Sequence, residues 1–351
     1  MSSNERYMHV RKELQKERMI LLLLAVLLLA ASILSITVGR YAIPLDRILV
    51  LLRRAVTGTL QDGDRAEATV LFVIRIPRIL LAILVGAALA ISGAAYQGLF
   101  QNPMVSPDIL GVSSGASVGA ALGLLLGLSS GWVHVLAFLF GTGAVFFVVV
   151  LARTIGKGNT RILIMVLAGS VISSIFSSFT SLMKYVADTD EQLPAITFWL
   201  MGSFTKSGNY KNVFIMLAVA LAGTAPLLMM RWNINAMSFG EQEAQALGVN
   251  VRRTRGIIIF CSTLLTASSV CICGTIGWVG LIMPHITRFL VGPNYRGLLP
   301  ASMLMGGLFL LVVDNVSRVI IPGELPIGIL TSLLGAPLFI YLLFRGRKEW
   351  T

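Results

Sequence analysis

Met19–Val38 reads MILLLLAVLLLAASILSITV, twenty residues without a charge. A helix rises 1.5 Å per residue, so a run of this length spans the roughly 30 Å hydrocarbon core of a bilayer. Arg6, Arg11, Lys12, Lys16 and Arg18 precede it. A basic start followed by an apolar run also describes a signal peptide, and Ala30-Ala31-Ser32 resembles small-residue cleavage chemistry. Signal h-regions, however, hold about 7–15 residues. The longer run here reads as a retained first span.

Nine further apolar runs follow, at roughly 79–97, 109–128, 132–152, 161–185, 210–230, 256–274, 277–292, 298–318 and 326–344. The composition agrees. The 351 residues are 56% hydrophobic and 13% charged, with mean hydropathy +0.84. A soluble domain carries about 25% charged residues. Half that number cannot cover a water-facing surface, so the remaining apolar surface faces lipid. The expected fold is all-α: a polytopic membrane protein of about ten transmembrane helices. Residues 1–18 form a cytosolic segment, 19–345 one transmembrane domain, and 346–351 a cytosolic tail. Gly274, Gly277, Gly280 and Pro284 interrupt the late spans. Breaks at membrane depth persist only where protein or a watery cavity covers the freed backbone groups, so the pattern predicts a bundle with an internal path.

The net charge is +12. The Lys and Arg residues stand in short stretches between apolar runs, which suits anionic lipid and the positive-inside rule rather than nucleic acid. Ten spans place both termini on one side. If that side is the cytoplasm, it holds the majority of the basic residues. The exception is the outer segment 40–78, which carries Arg47, Arg53, Arg54, Arg65, Arg75 and Arg78 beside Asp46, Asp62, Asp64 and Glu67. Arg75-x-x-Arg78 and Arg252-x-x-Arg255 each open an apolar run followed by glycines and a proline. That fits an inverted repeat of the transporter kind and equally a chance recurrence in apolar sequence.

Cys261, Cys271 and Cys273 share one apolar run without a nearby His, Asp or Glu, so they read as small buried residues rather than metal ligands or a disulfide framework. His9, His134 and His285 carry no ligand spacing. The fifth span holds Ser170, Ser174, Ser177 or Ser178, and Ser181 on one helical face. Such a stripe either lines a wet path or packs against a neighbouring helix.

The most informative polar stretch is RWNINAMSFGEQEAQALGVNVRRTR, 231–255. Ser238 with Glu241 three residues on predicts a capping box. The helix runs from about Phe239 to Leu247, and Gly248 suits a left-handed C-cap. Ala244, Leu247 and either Phe239 or Gly240 mark an apolar stripe, with Glu241, Gln242 and Gln245 turned away. About ten residues are too few for a stable isolated helix. It lies on the membrane or docks into a cytosolic partner.

Several segments together resemble one family. The pattern GE-x-x-A-x-x-LGV, from Gly240 to Val249, is similar to the coupling-helix signature of the iron-siderophore and cobalamin permeases of ABC importers. RIPRILLAILVGAALAISGAAYQGLFQNPMVSPDILGVSSGA (75–116), GTIGWVGLIMPHITRFLVG (274–292) and ELPIGILTSLLGAPLFIYLL (324–343) resemble that family in the expected order. The resemblance covers about 20–345. It implies a ten-span, cobalamin-permease-like bundle in a bacterial cell membrane, with both termini cytoplasmic. It implies a paired second permease subunit, identical or paralogous, two cytosolic ATPases and one extracytoplasmic substrate-binding protein. The coupling helix, about 239–248, would use Glu241, Ala244, Leu247 and Gly248. Arg75, Arg78 and Arg318 would meet carboxylates of the binding protein; the first two alternatively snorkel to the interface, and Arg318 alternatively pairs with Asp314 one turn earlier on the same helix. Ser170, Ser174, Ser177 and Ser181 would line the path, and Asn159-Thr160 would form a cytoplasmic gate, although Asn159 departs from the hydroxyl the family favours.

The chain has no phosphate loop, so it is expected to bind no cofactor and to use ATP hydrolysed by a partner subunit. The expected function is the translocation path for a ferric siderophore, with cobalamin or haem as alternatives. An ion-coupled secondary transporter would place carboxylates in mid-span, and a membrane enzyme would need a catalytic constellation; neither pattern is visible. The topology carries a direct check. A cysteine at Gln245 should react with an impermeant thiol reagent only after the inner face is opened; labelling of intact cells would overturn the orientation.

Overall fold

The computed structural model describes residues 3–39, 41, 43–156, 160–205, 208–321 and 323–346. The predicted runs become helices. They are α1 (Ser3–Thr37), α4 (Ile76–Leu99), α5 (Val112–Leu125), α6 (Ser130–Ile155), α7 (Thr160–Val186), α9 (Tyr210–Met229), α12 (Val251–Cys273), α13 (Val279–Val291), α14 (Tyr295–Ile320) and α15 (Ile327–Gly346). Between them lie α2 (Leu45–Thr57), α3 (Arg65–Ala68), α8 (Gln192–Met201), α10 (Arg231–Ser238) and α11 (Glu241–Ala246). No strand occurs among the described residues. Seven helical stretches are long and apolar enough to cross a bilayer, and α5, α13 and most of α15 are shorter apolar pieces. The segment expected before the first span is helical and continuous with it.

Successive long helices alternate in direction, so one end of the bundle holds α10, α11 and the last turn of α4. The opposite end holds α2, α8 and the start of α4. α4 and α12 form the centre and are buried along most of their lengths. α14 packs along α4, α6 and α9 pack on α12, and α7 packs on α5 and α6.

The basic segment 40–78 folds, which the sequence did not reveal. α2 is amphipathic and lays Ile48 and Leu51 on Ile43 and Leu71. Two of its three arginines are matched internally. Arg54 Nη1 donates to Asp64 Oδ2 at 2.7 Å, Arg47 Nη2 donates to Asp64 Oδ1 at 2.6 Å, and Arg47 also pairs with Glu67. The excess of positive charge therefore has local carboxylate partners, as well as burial of Arg75 and Arg78 described below.

The short helices α5 and α13 are halves. Before α5, residues 107–110 form one 3-10 turn. Before α13, residues 274–278 are non-helical and Trp278 takes a φ of 72°. The two breaks meet level with the middle of α4. A Cβ on Gly280 would strike the Pro107 ring and the Leu89 carbonyl, and a Cβ on Gly93 would land on the Gly280 carbonyl oxygen. α4, a break and α5 thus mirror α12, a break and α13, run in the opposite sense. That is the arrangement an inverted repeat requires. The matching arginine pairs fall at opposite ends of the bundle.

The contact leaves no room for a side chain. Gly93→Val should drive α4 from α13 and cost about 1–3 kcal/mol or more of overpacking. Nothing lies within 4 Å of a Cβ built on Gly143, so Gly143→Ala should be neutral. Thermal unfolding in detergent separates them: a lower midpoint for the first alone is expected, and equal midpoints would contradict the packing.

Candidate functional site

Gly240 interrupts the polar loop after α10 with a φ of 134°, and α11 begins at Glu241. Ser238 is not the N-cap. Its hydroxyl donates to the Asn235 carbonyl at 2.7 Å and closes the last turn of α10. The predicted single helix is two, because residues 231–238 already use their backbone in a helix of their own. α11 ends as the sequence indicates. Gly248 has a φ of 81°, its N–H donates to Gln245 at 2.9 Å, and Val249 N–H donates to Ala244 at 2.9 Å. This is the paired bonding of a Schellman cap.

Ala244 is fully buried against the bundle, whereas Leu247 and Phe239 are exposed. The expected stripe therefore divides: its small residue seats the helix and its large ones project outward. Glu241 is not turned away. It pairs with Arg255 on the first turns of α12. The platform is rigid. Asn235 Nδ2 donates to Asn294 Oδ1 at 2.8 Å, and Tyr295 N–H donates to Asn235 Oδ1 at 2.8 Å, tying α10 to the start of α14. Sequence reasoning noted Arg255 only as a member of a possible repeat; its place immediately before the apolar run from 256 was the available signal.

The opposite end holds the arginines expected to dock a binding protein, and in the single chain they are largely enclosed. Arg78 and Asp314 side chains are 5% and 0% exposed. Arg78 Nε donates to Asp314 Oδ1 at 2.9 Å, and Nη1 donates to Glu324 Oε2 at 2.9 Å. Glu324 reaches inward from a left-handed φ of 57° and also accepts from Thr205 Oγ1 at 2.7 Å. Arg318 Nε lies 3.2 Å from Asp314 Oδ2, and Nη2 donates to Ser35 Oγ at 2.6 Å. Arg75 donates to the carbonyl of Ile36 in the last turn of α1 and to that of Tyr41 beyond it. Guanidinium groups enclosed in this way present little surface to an incoming carboxylate. In the chain they fasten α1, α4, α14 and the turn before α15. Asp314 is the hub, since both Arg78 and Arg318 need its charge.

Between the two ends runs a set of polar features. Ser170, Ser174, Ser177 and Ser181 lie on an exposed face of α7. The hydroxyls of Ser170, Ser174 and Ser181 donate to carbonyls one turn back, at 3.0–3.1 Å. A hydroxyl spent on its own helix presents a small, weakly polar surface. Thr160 opens α7; Asn159 lies outside the described residues. Sequence reasoning overlooked Asp108. Its carboxylate accepts from Ser113 N–H at 3.2 Å and from the Ser113 hydroxyl, holding the first turn of α5 at the break. A cavity of about 520 Å³ opens here, lined by Asp108, Ser113, Thr275, Ser332, Met201 and Leu333 among others. None of its lining residues is basic. The three cysteines are free and buried, and no cluster of metal-ligating side chains occurs among the described residues.

Among the described residues, ten apolar helices, of which two are halves that meet beside the middle of α4, and a short helix seated on a polar loop mark a multi-span membrane protein. The model of the FecCD transport family matches residues 27–345, and the chain belongs to that family: it is a permease of the ABC transporter class, whose members pair with ATPases and binding proteins. The molybdate import system permease protein MolB of Haemophilus influenzae is 43% identical over 93% of this chain and 95% of its own. The "Probable iron chelatin transport system permease protein" of Helicobacter pylori is 39% identical over 78% of this chain and 82% of its own. A solved chain described as a metal-chelate type ABC transporter in an inward-facing conformation superposes with TM-score 0.83 at 40% identity, covering 93% of this chain and 99% of that one.

Removing one member of a buried ion pair strands the other, at about 3–5 kcal/mol, whereas replacing both by apolar groups is often neutral. Arg78→Met should therefore lower the thermal midpoint in detergent sharply. Arg78→Met with Asp314→Leu should recover part of the loss, the remainder reflecting Arg318 and Glu324. Additive losses in the double variant would remove Asp314 as the hub.

Proposed function

We propose that the chain forms one half of the translocation path for a bulky, weakly charged metal chelate such as a ferric siderophore. The supporting observation is the cavity at the break before α5: a carboxylate, hydroxyls and apolar side chains, without a cation among its lining residues. Such a wall repels a small dianion. It offers no tight site to a large chelate, as rapid passage requires. The self-bonded serine face of α7 adds a second weakly polar surface. α7 and α15 carry many exposed residues in the single chain, which suits a second permease copy facing them across the path.

α11 is the contact for a cytosolic ATPase, with exposed Phe239 and Leu247 as its outward groups and Glu241–Arg255 as the tie that passes its movement to α12. The α11 end is then cytoplasmic, as are both termini of the membrane domain, and hydrolysis occurs in the partner. At the opposite end, with the arginines engaged internally, a substrate-binding protein meets the rim built on α2, α8 and the turn before α15. The second reading is molybdate import, favoured by the 43% identity to a protein of that name.

Uptake in cells expressing the complete importer distinguishes the two. Radioactive iron presented as its siderophore complex should accumulate, and radioactive molybdate should not; the reverse would overturn the chelate reading. Glu241→Lys reverses the charge facing Arg255 and sets a cation at a helix N-terminus, against its dipole. Uptake and substrate-stimulated ATPase activity should fall together by about thirtyfold, the 2 kcal/mol or so of a lost charged contact, with the protein still in the membrane. Normal uptake would remove Glu241 from the coupling path.

A further inference from the structure

A separate groove lies on the flank of the bundle between α6, α7 and α12. Its volume is about 540 Å³. The walls are apolar, with Phe138, Val145, Val149, Met165 and Ile259 among them. Phe146 and Phe260, which also line it, are 64% and 68% exposed, so it opens sideways toward the surroundings of the bundle rather than inward. One end carries four arginines: Arg153 at the end of α6, Arg161 in the first turn of α7, and Arg252 and Arg255 in the first turns of α12. No acidic residue lines it. The Arg255 side chain is 8% exposed, and its Nε has no hydrogen-bond partner; the buried Nε of Arg161 has none either. The N-termini of α7 and α12 add their positive dipole ends to the same place.

Charge and shape together specify the occupant. Four cations, two of them with a buried and unpartnered Nε, call for a phosphate-like anion. A soluble anion would account for the arginines but not for the apolar walls. From Arg153 to Phe138 is fifteen residues, about 22 Å along α6, which exceeds the ~15 Å depth of one leaflet's hydrocarbon. We propose that the groove holds an anionic phospholipid of the leaflet at the α11 end, one acyl chain along α6 and the phosphate among Arg153, Arg161, Arg252 and Arg255. Because Arg255 also pairs with Glu241, the lipid phosphate shares a cation with α11. Occupancy of the groove is therefore linked to the seating of that helix. The regulatory consequence rests on the ATPase-contact reading of α11, whereas the binding itself does not.

The test uses the purified permease in detergent, stripped of lipid and titrated with phosphatidylglycerol, phosphatidylcholine or inorganic phosphate, with bound lipid counted by native mass spectrometry. Gly256 lines the groove, and a Cβ there meets nothing within 4 Å, so Gly256→Trp fills the space without a backbone clash. Arg153→Gln with Arg252→Gln removes two rim charges and leaves Arg255 and Glu241 in place. The wild type should retain one phosphatidylglycerol in preference to phosphatidylcholine. The double variant should bind it roughly thirtyfold more weakly, the effect of two arginines near an anionic headgroup, and the tryptophan variant should lose it. Equal retention of the two lipids, an unchanged affinity in the double variant, or displacement of the lipid by millimolar inorganic phosphate would each overturn the proposal. Should the tryptophan variant fail to fold, the headgroup preference and the arginine variant decide the matter. A complex that binds the lipid as stated but whose ATPase rate ignores it would leave the site standing and count against the role of α11.

Discussion

Peptide groups at membrane depth must find partners within the protein, since each one left bare in hydrocarbon costs several kcal/mol. This chain breaks its helices at that depth twice, at 107–111 and at 274–278. Each break is covered by the other and by the middle of α4. Gly93 and Gly280 bring the backbones into contact, and Pro107 fills the space beside Gly280. Asp108 supplies acceptors for the first turn of α5. Without that meeting point neither half-helix could begin where it does, and the cavity beside Asp108 would not exist.

The same arrangement separates the charges into two groups. α4 begins at the buried cluster of Arg78, Asp314, Glu324 and Arg318, and α12 begins at Arg255 with Glu241. Its far end is joined to α8 and α15: Ser203 N–H donates to the Cys273 carbonyl at 2.8 Å, and Ile327 N–H donates to Gly202 at 2.9 Å. α12 is thus one continuous helix from the loop carrying α11 to the rim at the opposite face. A displacement of α11 has a direct mechanical route to that rim and to the cavity bordered by Thr275 and Met201.

Burial changes the meaning of the arginines at the end where α4 begins. An exposed arginine is a steering charge for a partner, whereas an enclosed one with two carboxylates is a fastener whose loss strands its neighbours. The segment 40–78 shows the same principle at the surface, where Asp64 and Glu67 take up Arg47 and Arg54. Its excess of basic residues serves the fold of this end.

The sequence by itself determined the number and order of the apolar helices, because twenty uncharged residues have only one stable conformation in lipid. It also determined the left-handed cap at Gly248, a local matter of backbone conformation. Ala244 through Val249 were legible as a helix end for the same reason. Tertiary structure alone decided which face of each helix is covered. It buried Arg78 with Asp314, 236 residues away, turned Glu241 onto Arg255, split residues 231–246 into two helices, and placed Asp108 on a cavity wall. These depend on contacts between segments distant in sequence. A motif such as Arg-x-x-Arg reads identically whether its guanidinium groups face water or a carboxylate.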